Sequence, residues 1–153
     1  MNELLNDPMI LRQIIMDHYE YPHNHQLTED EHYGSIHMAS ESCIDDITVQ
    51  ALIKDGIVDD IRFDGVACTI STASTSIMTE LLRGKTVDQA KAVIDQYNAM
   101  IALESFDPEV LEEAVAFHNV GKQANRIKCA TIGWKAIEQL IEESEVKHDT
   151  ETR

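Results

Sequence analysis

Basic residues are scarce in this chain. Twelve lysines and arginines stand against 28 aspartates and glutamates, a formal net charge of −16 with the histidines neutral. A field of that sign repels phosphate backbones and anionic lipid surfaces, which excludes nucleic acid and charged membranes as expected partners. It suits solubility first and, second, the steering of a basic protein surface into contact. Long apolar runs are missing as well. The opening MNELLNDPMILRQ has neither a basic flank nor an extended apolar stretch, so it reads as neither a secretory signal nor a membrane span, and a cytoplasmic location is expected. No internal repeat or low-complexity linker divides the sequence. Cysteine is limited to three residues. An odd number cannot all pair within one chain, and in a reducing compartment they stay thiols free for metal or sulfur chemistry; three buried, inert thiols are the plain alternative.

What is present fits one domain, 1–153. The chain has 153 residues and 43% hydrophobic content, and single domains usually span about 100–200 residues. Asp7 as N-cap and Pro8 at the first helical position open a helix whose face carries Ile10, Leu11, Ile14, Ile15 and His18, and which stops before Pro22. Residues 23–32 read as a polar loop. Ile47, Val49, Ala51 and Ile53 then alternate with polar neighbours, the period of a half-buried strand. Asp55-Gly56 is a hairpin signal, with 57–63 as the returning arm and 34–40 as a third, edge strand.

After Cys68 the period becomes helical, with Ile70, Ala73, Ile77 and Leu81 in one stripe ended by Gly84. Thr86 and Gln89 form a capping box for a helix reaching about Leu103, and Asp107-Pro108 opens a short segment to Phe117. A last stripe of Ile127, Ala130, Trp134, Ile137 and Ile141 defines the terminal helix, and the acidic residues 142–153 are expected to fray. The order predicts an α+β fold: helices packed around a small three-stranded antiparallel sheet.

All three cysteines fall at element ends. Cys43 lies between strands, Cys68 where the hairpin meets a helix, and Cys129 in the first turn of the last helix. The amide groups exposed at a helix N-terminus stabilise a thiolate, the form that metal binding and sulfur transfer both require. Zinc usually takes four ligands, so three thiolates call for one more donor. Asp45, two residues after Cys43, is the nearest in sequence, although an aspartate there serves equally well as a turn cap. Among the seven histidines, His37 and His118 are the alternates. Arg126 and Lys128 flank Cys129; basic groups at a helix start oppose its dipole, so an anion close by would account for them, and solvated charges are the simpler reading.

Taken together these pieces resemble the U-type iron–sulfur assembly proteins, the scaffold and sulfur-acceptor family often called IscU and SufU. The resemblance rests on Asp17-His18-Tyr19 with Pro22 and Asn24, Cys43-x-Asp45, Phe63-x-Gly65-x-x-Cys68-x-Ile70-Ser71, Arg126-Ile127-Lys128-Cys129-Ala130-Thr131, and Trp134-Lys135-Ala136. It implies a SufE/IscU-like fold and a metal or cluster site from Cys43, Asp45, Cys68 and Cys129. Scaffold-type members carry a histidine immediately before the last cysteine, where this chain has Lys128; that change, and a longer helical segment between Gly84 and Arg126, resemble the zinc-binding sulfur-acceptor branch. The resemblance then implies zinc as the cofactor, a pyridoxal-phosphate cysteine desulfurase and downstream iron–sulfur assembly proteins as partners, Cys43 as the persulfide acceptor and Arg126 as an assisting residue. A transient iron–sulfur cluster on the three cysteines, a structural zinc domain that only binds partners, and a nucleophilic enzyme built on Cys68 are the competing expectations. The chain departs from the family at Ile44 and Ala67, which stand where glycines are usual, and at Ser40-Glu41-Ser42 in place of the usual Asn-Pro approach.

Overall fold

Asp7 caps α1 (Pro8–Glu20) by accepting from the backbone N–H groups of Met9 and Ile10, as the Asp-Pro pair predicts. The computed structural model describes residues 7–39 and 44–151, the last five as backbone only. α1 buries a narrower face than expected. Leu11 and His18 are enclosed, whereas Ile10 is 43% exposed, because the helix rests on its neighbours along a single seam.

Three strands follow: β1 (Gly34–Ala39), β2 (Asp46–Lys54) and β3 (Ile57–Val66). They form one antiparallel sheet with β2 in the centre. The β2–β3 turn is the predicted Asp55-Gly56 hairpin, with φ of 54° and 75°, the left-handed pair such turns require. Alternation places Ile47, Val49 and Ala51 of β2 on the core face beside Val58, Ile61 and Phe63 of β3. The returning arm runs three residues beyond the expected end, pairing Val66 with Asp46. Gly65 permits this. Its φ is +136°, and a Cβ there would lie 2.0 Å from the Asp46 carbonyl oxygen.

The helices then cover the core face of the sheet: α2 (Thr69–Leu82), α3 (Val87–Ile101), α4 (Pro108–Leu111) with two 3₁₀ turns, Glu112–Phe117 and Val120–Lys122, and α5 (Ala124–Glu151). The capping box of Thr86 and Gln89 is present in both directions. α2 and α5 approach closely at Gly133, where a Cβ would stand 2.4 Å from Thr75 Oγ1. One expectation for α5 is revised. The helix begins at Ala124, so Cys129 sits in its second turn rather than its first, and helical backbone is described as far as Glu151. A contact between Lys91 of α3 and Glu145 ties that extension to the body of the protein.

The end of the sheet nearer the hairpin is fixed by Asp60, which accepts from Tyr33 at 2.6 Å and Arg62 at 2.9 Å and faces Arg83 at 3.3 Å. Burial alone would raise its carboxyl, but these donors and charges together bring it below the ordinary value. Among the described residues no helix is long and apolar enough to cross a membrane.

Candidate metal centre

The bend between β3 and α2 brings one cysteine to a helix start. Cys68 is the N-cap of α2, its backbone extended at φ −72° and ψ 173°, and its sulfur accepts from the Ser71 backbone N–H at 3.5 Å. The position places the sulfur against the positive end of the helix, as the sequence predicts. The pairing of Asp46 with Val66 sets the neighbouring Asp45 opposite this turn. Asp45 is only 1% exposed, a costly position for a carboxylate unless donors meet it. It accepts from the Cys68 backbone N–H at 2.9 Å through Oδ1 and from the Ser71 hydroxyl through Oδ2. Asp45 is therefore both the turn-capping residue and the ligand candidate of the sequence reading, since its oxygens close the first turn of α2 and also face the sulfur.

Cys129 arrives from α5, its residue 5% exposed. Hydrogen bonds hold the residue after it. Ser74 Oγ and the Tyr97 hydroxyl each donate to the Ala130 carbonyl at 2.6 Å, and Trp134 Nε1 donates to Ser74 Oγ at 3.1 Å. Burial pushes the Tyr97 hydroxyl well above its ordinary range, so it stays a neutral donor. One ligand atom each from Asp45, Cys68 and Cys129 then lies within 4.8 Å of the other two. Two thiols and a carboxylate, buried or half-buried and converging from three segments, are donor types that zinc accepts.

Cys43 lies outside the described residues. Arg126 is exposed in the first turn of α5, and Lys128 is exposed beside Cys129. Ile44 is 66% exposed at the rim. The alternates do not join the group. His37 of β1 pairs with Asp46 of β2 at 2.6 Å, and His118 ends a 3₁₀ turn, where burial first and the Lys122 charge second lower its pKa. Among the described residues no histidine belongs to the three-residue cluster. His18 is buried in the last turn of α1, its ring 4.7 Å from that of the exposed His23, and Ser76 Oγ joins the His18 ring and the His23 backbone N–H, tying α1 to α2.

Sequence reasoning passed over Ser71, although it quoted the residue in the motif Cys68-x-Ile70-Ser71. The usable signal was spacing: position three after an N-cap is where a polar side chain reaches back to the cap.

The model of the NifU-like N terminal domain matches residues 10–151. The chain belongs to that family. Among NifU-like relatives, the zinc-dependent sulfurtransferase SufU of Bacillus subtilis is 34% identical over 137 residues, covering 89% of this chain and 92% of the relative. The iron–sulfur cluster assembly scaffold protein IscU of Streptococcus pyogenes is 35% identical over 133 residues, covering 86% and 82%. A crystal structure from Fervidobacterium islandicum, named as a candidate iron–sulfur cluster assembly scaffold for the SUF system, superposes with a TM-score of 0.76 at 28% identity, covering 84% of this chain and 94% of that one. The NifU-like fold is thus the expected α+β arrangement of helices around a three-stranded antiparallel sheet.

Proposed function

We propose that this chain acts in iron–sulfur cluster assembly as a zinc-dependent acceptor of persulfide sulfur from a pyridoxal-phosphate cysteine desulfurase. The observation that carries this reading is the convergence of Asp45, Cys68 and Cys129 to within 4.8 Å. Cys43, two residues before Asp45, completes the set. Bound zinc would keep these thiols deprotonated and together. Three thiolates and a carboxylate would bring four negative charges to a divalent ion, which would favour release of one thiolate, and Cys43 is our candidate for it. In the transfer, the Cys43 thiolate attacks the outer sulfur of the desulfurase persulfide. A new sulfur–sulfur bond forms on Cys43, the old one breaks, and the desulfurase cysteine departs as a thiolate. Arg126, exposed three residues before Cys129, supplies positive charge at the docking surface.

Both a zinc-dependent sulfurtransferase and a cluster scaffold stand among the relatives at similar identity. Lys128 in place of histidine favours the acceptor over the scaffold, and the scaffold is the second reading. Elemental analysis of purified wild type beside Cys68→Ser tests the choice. About one zinc per wild-type chain, lost in the variant, supports the acceptor. Iron with acid-labile sulfide would put the scaffold first. Cys43→Ala is then expected to abolish stimulation of a desulfurase while leaving the fold intact, and full stimulation by that variant would remove Cys43 as acceptor.

A further inference from the structure

The first turn of α2 closes a ring of three residues. The Cys68 amide donates to Asp45 Oδ1 at 2.9 Å, the Ser71 amide donates to Cys68 Sγ at 3.5 Å, and the Ser71 hydroxyl donates to Asp45 Oδ2. The same hydroxyl lies 3.3 Å from Cys68 Sγ. Ser71 is fully buried. A serine hydroxyl carries one proton, and in this geometry it goes to the carboxylate, the stronger acceptor. The Cys68 amide engages only one of the two Asp45 oxygens. Without Ser71 the other oxygen loses this hydroxyl donor, and the carboxylate is freer to turn away from the two sulfurs.

We infer that Ser71 is a positioning residue for the ion: its hydroxyl fixes the Asp45 carboxylate beside the sulfurs of Cys68 and Cys129, and so sets how tightly and in what geometry the ion is held. This rests on the metal reading above. Carboxylate ligands are commonly oriented by such outer hydrogen bonds, and losing one typically weakens binding about 10–100-fold.

The test uses full-length wild type, Ser71→Ala, Ser71→Thr, Asp45→Ala and the Asp45→Ala/Ser71→Ala double variant, each stripped of metal and checked for folding by circular dichroism. Zinc affinity is measured by competition with a chromophoric chelator, and cobalt(II) absorption reports the ligand field. Ser71→Ala is expected to bind zinc about 10–100-fold more weakly with an altered cobalt spectrum, while Ser71→Thr, which keeps the hydroxyl, stays near wild type on both. If Ser71 acts through Asp45, the double variant binds no more weakly than Asp45→Ala alone. Should the alanine variant not fold, Ser71→Gly removes the same hydroxyl and carries the same expectation. Wild-type affinity and spectrum in folded Ser71→Ala, or additive losses in the double variant, would overturn the inference even if the melting temperature fell. Wild type that binds neither ion would instead overturn the metal reading, and this inference with it.

Discussion

α2 and α3 are consecutive helices of 14 and 15 residues, built on opposite terms. α3 is amphipathic: Ala90, Val93, Ile94, Tyr97, Met100 and Ile101 turn inward and the rest of its surface faces out. α2 has little outer face. Ser71, Thr72, Ser74, Thr75, Ser76 and Thr79 are buried together with its apolar residues. A helix with that many enclosed hydroxyls is tolerable only where they find partners, and most do. Ser71 meets Asp45, Ser74 meets the Ala130 carbonyl, Ser76 meets His18 and His23, and Thr79 meets the Ser76 carbonyl. α3 is stabilised chiefly by one apolar face. α2 is stabilised by specific pairings on every side, and one of those sides is the candidate metal centre.

Substitutions along the two helices should break or sharpen this contrast. The largest effect is expected from Trp134→Ala, which empties a buried site, removes the edge-on contact with Tyr97 at 3.9 Å and takes one donor from Ser74. A loss of about 3–5 kcal/mol in denaturant-derived stability is expected; under about 1 kcal/mol would mean that the seam between α2 and α5 is not tightly packed. Gly133→Ala forces a methyl against Thr75 and should cost about 1–3 kcal/mol. Adding Thr75→Ala should recover part of that loss, whereas strictly additive losses would separate the two positions. Ser76→Ala leaves the His18 ring and the His23 amide without their shared partner, for about 1–2 kcal/mol read as a lower melting temperature. Thr86→Ala, at the cap of α3, is the mildest, at about 1 kcal/mol. Faster amide exchange after that change should be confined to the first turn of α3, and spread into α2 would erase the distinction.

Much of this arrangement was legible because its signals are local. Asp7-Pro8, Asp55-Gly56 and the Thr86–Gln89 box each act within a few residues, and the alternation of Ile47 through Ile53 needs only one buried side. The sidedness of α2 was not legible. An apolar stripe at Ile70, Ala73, Ile77 and Leu81 says nothing of the hydroxyls between, whose partners come from α1, α5 and the segment before β2. Of the candidate site, the cysteines and Asp45 stood out by type and motif. The tie between Asp45 and Ser71 did not, because it joins residues 26 positions apart. The start of α5 was misplaced because Ala124 and Asn125 carry no apolar signal, although they continue the helix.

The sources of the candidate ligands also fix when the site can exist. Asp45 and Cys68 lie 23 positions apart across one hairpin, but Cys129 follows only after α3, α4 and the 3₁₀ turns have been synthesised. A chain still emerging from the ribosome holds Asp45 and Cys68 before Cys129, and it lacks the second sulfur until α5 has docked. An ion that needs all of these donors therefore selects finished molecules from partly made ones. At a free concentration one hundred times its dissociation constant, it would add about 2.7 kcal/mol to the folded form alone.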